Sequence, residues 1–381
     1  MNNTIYLDNA ATTSLKAEVL DEMMPYMVDN YANASSNYEI AKNAKKAIMN
    51  AKHKLADLIN ASQNEIFFTS GGTESDNWAI RSVVEKYKDK GNHIISSKIE
   101  HHAVLHTLEF LETQGYEVTY LPVDRSGKIN IEDLKNAITD RTILITIMTA
   151  NNEVGSIQPI KEIGALARKN GIIFHTDAVQ AYGHLSIDVK KMKIDLLSAS
   201  GHKFHGPKGV GFLYVRDGIK IDPFMYGGAQ ESGLRPGTYN TPGIVGMGRA
   251  AELCKNEIDS NSIENNRDYF INKVESEIPN CSLNGGREDR LPNNINICFK
   301  GVDSEALLVL LNESGVYASA GSACTTGEPE PSHVLIALGL TADEASSSIR
   351  FTISGLTTKD ELDATVDILK QSISLLRKSL N

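Results

Sequence analysis

Short apolar runs alternate with longer amphipathic stretches through most of the chain. Residues 65–69, 93–96, 118–121, 142–148 and 171–175 are rich in β-branched, leucine and aromatic side chains and are bounded by glycine or polar residues, which predicts strands. Between them, apolar residues recur at helical spacing over about 73–87, 102–114 and 159–169. Strand–helix alternation of this kind predicts an α/β fold with a mostly parallel sheet covered by helices on both faces. After about residue 250 the rhythm changes. It predicts a helix over 250–277, interrupted at Asp259-Ser260-Asn261-Ser262, then strand 294–299, helix 304–313, strand 347–353 and helix 359–380. This predicts a smaller α+β domain beginning near residue 255. Sheets of the first kind bind ligands beyond the carboxyl ends of their strands. Polar clusters fall there after Phe68, Met148, Phe174 and Leu197, which points to a single cleft.

Bulk properties narrow the classes. At 381 residues two domains are expected, and 41% apolar with 23% charged residues is an ordinary globular balance. A net charge of -10 argues against nucleic acid or an anionic membrane as partner. Met1-Asn2-Asn3-Thr4 reads as no signal peptide, and the run 143–148 is too short to span a bilayer. Cys254, Cys281, Cys298 and Cys324 form no Cys-x-x-Cys pair, so neither a structural zinc site nor a disulfide framework is expected, and a reduced, cytoplasmic compartment is.

The polar clusters carry the chemistry. Lys203, in Ser200-Gly201-His202-Lys203, follows an apolar run and precedes the glycine-rich turn Gly206-Pro207-Lys208-Gly209. A lysine held there can form a Schiff base with an aldehyde cofactor. Asp177, in His175-Thr176-Asp177-Ala178-Val179-Gln180, can pair with a pyridine nitrogen, and Gln180 can reach the ring hydroxyl. The two together point to pyridoxal phosphate (PLP). Thr69-Ser70-Gly71-Gly72-Thr73-Glu74-Ser75 reads either as a phosphate loop opening a helix or as an ordinary helix start with Thr73 as N-cap.

His101, in Glu100-His101-His102, is a candidate to stack on the ring, while His102 and His106 read as a solvated helix face rather than metal ligands. Asn151-Asn152-Glu153 follows the strongest strand, and buried amides there can donate to a cofactor hydroxyl or a substrate carboxylate. Arg350 is either a carboxylate fork or a surface ion pair. Cys324 lies among small residues, Gly321-Ser322-Ala323-Cys324-Thr325-Thr326-Gly327, where a thiol is more often reactive than packed.

In this order the motifs resemble the cysteine desulfurases of the NifS/IscS type, within the class V aminotransferase group of PLP fold type I. The resemblance adds Tyr6-Leu7-Asp8-Asn9-Ala10-Ala11-Thr12-Thr13, Asn151-Asn152-Glu153-Val154-Gly155, Arg235-Pro236-Gly237-Thr238 and Pro331-Ser332-His333-Val334-Leu335. It implies a large PLP-binding domain over 15–255 and a small domain from 1–14 and 256–381 that carries the cysteine loop. It implies that Lys203 holds PLP, His101 stacks on it, Asp177 pairs with its nitrogen, and Gln180 and Asn152 contact the hydroxyl region. Gly72, Thr73, Ser200 and His202 are implied to bind the phosphate. Thr238 is implied to reach the phosphate of a neighbouring subunit, hence a homodimer. Arg350 and Asn152 are implied to grasp the carboxylate of L-cysteine, with Cys324 as persulfide carrier.

A sulfur acceptor such as an iron–sulfur scaffold or a tRNA-thiolation enzyme is the implied partner. Selenocysteine lyase or small-amino-acid aminotransferase chemistry on the same scaffold are the alternatives, and a binding platform with little turnover is a more distant one. Two departures stand out. Glu328 and Pro329 add charge and stiffness where relatives tend to carry serines and one leucine, which predicts a higher thiol pKa at Cys324 or a different acceptor. Thr352-Ile353-Ser354-Gly355 lacks the Gly-Arg that often follows this strand.

Overall fold

The computed structural model describes residues 4–258, 260–320 and 331–379. In chain order the strands are β1 (Ile5–Tyr6), β2 (Ile66–Thr69), β3 (His93–Ser97), β4 (Glu117–Leu121), β5 (Thr142–Thr146), β6 (Ile173–Asp177), β7 (Leu196–Ser200), β8 (Gly211–Val215), β9 (Cys281–Leu283), β10 (Asn294–Phe299), β11 (Val316–Tyr317) and β12 (Ser348–Thr352). The helices are α1 (Ala17–Val28), α2 (Glu39–Asp57), α3 (Gly72–Tyr87), α4 (His102–Thr113), α5 (Ile131–Ala137), α6 (Ile160–Lys169), α7 (Thr241–Ile258), α8 (Ser262–Glu277), α9 (Ser304–Glu313), α10 (His333–Ala337), α11 (Ala342–Ser346) and α12 (Lys359–Ser379). No helix among the described residues is long and apolar enough to cross a membrane.

Seven strands form one sheet in the order β2-β8-β7-β6-β5-β3-β4. The run from β7 to β4 is parallel. Strands β5, β6 and β7 are buried at every position, because crossover helices cover both faces of a parallel sheet. Strand β8 is antiparallel to both β7 and β2. It returns after a short connection containing the Gly206–Gly209 turn, and this reversal was not anticipated from the sequence.

Other elements also differ from the sequence expectation, among them the short β1, β9, β11, α5, α10 and α11, and three long helices. Helices α1 and α2 are additional, and α7 starts at Thr241 rather than 250. The buried face of α2 is mostly alanine (Ala41, Ala44, Ala51, Ala56), so its apolar contrast is faint although its spacing is helical. Glycines blur the start of α7, yet they serve packing. A Cβ on Gly248 would lie 2.8 Å from Cα of Ala51, so α2 and α7 approach backbone to backbone.

Two large apolar clusters result. One runs between the seven-stranded sheet and its helices and includes Phe174, Tyr182, Phe204 and Phe212. The other gathers Phe270, Phe299 and Phe351 around the β12-β10-β9 sheet, with Ile5 and Leu7 contributed by the N-terminal segment. Strand β1 pairs in parallel with β11, and Thr352 N–H donates to the Leu7 carbonyl. The segment from Ala10 to Thr13 then crosses to the first cluster, where Thr13 N–H and Oγ1 both donate to the His202 carbonyl.

Phe270 is fully buried and meets Phe351 edge to face at 5.4 Å between ring centroids. Phe270→Ala is expected to cost about 3–5 kcal/mol of unfolding free energy, measured by denaturant titration. A loss below about 1 kcal/mol would contradict this packing.

Candidate active site

The strands of the large sheet end on one cavity of about 570 Å³. Gly72 and Thr73, at the start of α3, line it after β2, and His101 lines it after β3. Asn152 comes from the turn after β5, Asp177 and Gln180 from the end of β6, and Ser200, His202 and Lys203 from the end of β7. Arg350 reaches the same cavity from β12, on the other apolar cluster. Ten residues singled out from the sequence thus meet in one place. Thr238 is exposed and does not line the cavity. Cys324, Glu328 and Pro329 lie outside the described residues, but Ser319 and His333, on either side of that stretch, both line the cavity.

Lys203 ends a short 3-10 turn, Gly201–Lys203, whose last carbonyl is bonded to His184 Nε2 at 3.0 Å. Its Nζ donates to the carbonyls of Ala10 (2.6 Å) and Ala11 (3.0 Å). Burial, with the Arg350 charge adding to it, brings its pKa down to about 8. The lowered pKa enlarges the neutral fraction that a nucleophilic amine requires. Gln180 Nε2 donates to the same Ala10 carbonyl at 3.0 Å. Asp177 Oδ1 accepts from Val179 N–H at 2.8 Å. Burial raises the Asp177 carboxyl, while His101 and Lys203 pull it down.

His101 caps α4, its Nδ1 accepting from Ala103 N–H at 3.1 Å. Burial lowers its pKa, so the ring is neutral, with Nε2 carrying the proton. His202 bonds Thr12 Oγ1 through Nδ1 at 3.2 Å, and burial lowers it to about 4. Also on the cavity wall, α3 starts at Gly72 with Gly71 in the cap position and no side-chain cap. Thr73 is therefore not the N-cap, and the first N–H groups of a 16-residue helix stay available to an anion. A Cβ on Gly72 would meet Val179 Cγ2 at 2.6 Å, so only glycine lets this loop sit against the turn after β6.

Arg350 is not a surface residue. Its side chain is 6% exposed, and Nη2 donates to Asp8 Oδ1 at 2.8 Å while Nη1 donates to the Asn152 carbonyl at 3.3 Å. Its Nε is buried with no hydrogen-bond partner.

Several lining residues were not assigned from the sequence: Asp8, Asp76, Met148, Glu153, His333 and the side chain of Glu100. Asp76 sits one turn past Gly72 on the same face of α3, a spacing that signals shared orientation. Its Oδ1 is buried without a hydrogen-bond partner, 3.7 Å from His175 Nε2, and burial followed by the Asp177 charge raises its pKa well above the usual range. Glu100 accepts from Ser97 Oγ and Met148 N–H and is pushed up to about 8 by burial. The rings of His102 and His106 lie 4.8 Å apart, and those of His102 and His333 4.9 Å. Among the described residues no group of three or more His, Cys, Asp or Glu is placed to hold a metal ion.

This donor set fits pyridoxal phosphate. A half-buried lysine with a lowered pKa faces the cavity, a carboxyl raised by burial would gain from a cationic ring nitrogen, and a glycine-walled helix start offers N–H groups that would suit a phosphate.

Comparison with known proteins agrees. The family model described as aminotransferase class-V matches residues 5–365. A protein named cysteine desulfurase IscS from Methanosarcina thermophila is 53% identical, over 99% of this chain and 93% of that protein. Another of that name from Clostridium botulinum is 49% identical, over 99% of this chain and 96% of that protein. Among solved structures, a NifS-like protein superposes with a TM-score of 0.91 at 36% identity, covering 98% and 99% of the two chains. One described as SspA in complex with cysteine gives a TM-score of 0.83 at 41% identity, covering 92% of this chain and 99% of the other.

Glu100 couples the site to pH. Below its ordinary 4.5 it is protonated in both folded and unfolded chains. Between there and about 8 the folded protein keeps a proton that the unfolded chain has lost, so this contribution to stability falls as pH rises and levels off above about 8. Glu100→Gln removes it. The thermal midpoint of that variant is expected to fall less between pH 5 and 8 than that of the wild type. An identical pH slope in the two proteins would contradict the burial account of Glu100.

Proposed function

We propose, for a chain that belongs to the class-V aminotransferases and within them to the cysteine desulfurases of the NifS/IscS type, that Lys203 carries the cofactor and Cys324 the sulfur. The enzyme is a PLP-dependent cysteine desulfurase that converts L-cysteine to L-alanine. The carrying observation is the meeting of a depressed Lys203 and a buried Arg350, from opposite apolar clusters, on one cavity. When bound, PLP supplies a sink for the electron pair left at the substrate's α-carbon.

The chain's own residues do the rest. Asp177 would pair with the pyridine nitrogen, and neutral His101 would stack on the ring. Gly72, Thr73, Ser200 and His202 would hold the phosphate, with Gln180 and Asn152 serving the ring hydroxyl. Arg350 and Asn152 orient the substrate through its α-carboxylate. Lys203, partly neutral at physiological pH, takes the α-proton at Nζ. The Cys324 thiolate attacks the substrate sulfur. A sulfur–sulfur bond forms, the carbon–sulfur bond breaks with its pair going to carbon, that carbon takes a proton to become a methyl group, and the α-carbon regains its proton from Lys203 Nζ to give alanine.

The persulfide then passes to an acceptor such as an iron–sulfur scaffold or a tRNA-thiolation enzyme. The position of Ser319 and His333 on the cavity wall supports Cys324 as carrier, because both lie close to it in the chain. Glu328 and Pro329 bear on the ionisation of that thiol and on the choice of acceptor.

The active unit is a homodimer, with Thr238 presented to the neighbouring phosphate. The exposed apolar side chains of Leu20, Met24, Met27, Val28 and Tyr31, along and just after α1, support a covered face. Residues 15–255 act as the PLP-binding domain, and 1–14 with 256–381 as the small domain, in keeping with the two apolar clusters. Free thiols at Cys254, Cys281 and Cys298 support a reducing, cytoplasmic setting.

A single-turnover reaction of the PLP-loaded protein with L-cysteine, without reductant, tests the reading. Wild type is expected to yield alanine and a persulfide on Cys324, and Cys324→Ala neither. Alanine formed equally by both proteins would remove Cys324 from the reaction. No alanine from either, with activity on selenocysteine or on an amino acid plus keto acid, would overturn the desulfurase reading.

A further inference from the structure

Asp8 is a cavity carboxylate that the reaction above leaves unused. Its backbone is fixed on both sides. Leu7 N–H donates to the Tyr317 carbonyl at 2.8 Å, Thr352 N–H to the Leu7 carbonyl at 2.6 Å, and Asn9 Nδ2 to the Thr352 carbonyl at 2.7 Å. These bonds run Asp8 beside β12, the strand that carries Arg350, and hold Oδ1 at 2.8 Å from Arg350 Nη2. The same guanidinium is bonded to the Asn152 carbonyl through Nη1 and leaves its buried Nε unpartnered. A substrate carboxylate that comes to Arg350 therefore meets a guanidinium already shared with a negative charge.

We infer that Asp8 is a built-in competitor for Arg350, aligning the guanidinium in the open site while weakening the hold on any ligand whose carboxylate must share it. The inference rests on Arg350 being the carboxylate fork of the proposed reaction. Two physical needs are met at once. A buried guanidinium without a counter-charge is strongly unfavourable, and Asp8 supplies that charge whenever no substrate is bound. Alanine carries the same α-carboxylate as cysteine, so a fork shared with Asp8 also lets the product leave. Asp8 does not act on the reacting atoms. It is a positioning residue that works through Arg350.

Asp8→Asn isolates the charge, since an amide oxygen in the same place still accepts from Nη2. The PLP-loaded wild type and variant are titrated with L-alanine and with ethylamine, which is alanine without its carboxylate. Binding is followed by the visible band of the cofactor and, independently of that band and of turnover, by the shift in thermal midpoint. L-alanine is expected to bind the variant about three- to tenfold tighter, because one like charge has left the fork. Ethylamine binding is expected to be unchanged.

Unchanged or weaker L-alanine binding overturns the inference, and so does an equal shift for both ligands, which would mark a merely structural role. Turnover of L-cysteine by the wild type is scored separately. Its failure would reject the desulfurase reading and leave the alanine comparison interpretable.

Discussion

Everything in this site depends on keeping a lysine inside the protein. An ammonium group loses hydration when buried, and the loss lowers the pKa of Lys203 to about 8. What remains of its charge is held by the Ala10 and Ala11 carbonyls. Those carbonyls belong to a segment whose preceding residues are paired to β11 and β12. The second apolar cluster thus provides the surface against which a lysine of the first is held. Removing the N-terminal segment would open the cavity to water and return the lysine toward its ordinary, fully protonated state.

The same economy of charge governs the acids. Asp76, Glu100 and Asp177 line one cavity, and each is raised by burial. Like charges in so confined a space favour sharing of protons rather than three anions. Asp177 therefore gains from a cation beside it, while burial, opposed by the Asp177 and Glu153 charges, holds the His101 pKa down. Arg350 and Asp8 form the other charged contact, set at the junction of the two clusters. The charged contacts of the cavity thus draw on one small set of side chains from both clusters.

Much of this was legible in the sequence, for a physical reason. In a parallel sheet the chemistry follows strand ends, so polar clusters after apolar runs mark the cleft, and Lys203, Asp177, His101 and Asn152 were found that way. Strands β10 and α9 match the expected bounds because their apolar runs end sharply in polar residues. What was hidden lacked local contrast or depended on distant pairing. Helix α2 buries alanines, the glycines of α7 mask its start, and β8 is antiparallel within an otherwise parallel neighbourhood. Asp8 could not be assigned because its partner lies 342 residues away. Thr73 reads from the sequence as a possible cap, but the structure puts the cap two residues earlier, at Gly71.

The central claim, that a buried Lys203 is the cofactor's anchor, is tested most directly by reducing the PLP-loaded protein with borohydride and mapping the modified peptide by mass spectrometry. The account predicts a stable pyridoxyl adduct on Lys203, with the nearby Lys208 unmodified. An adduct on Lys208 or any other lysine, or none after full loading, would contradict it.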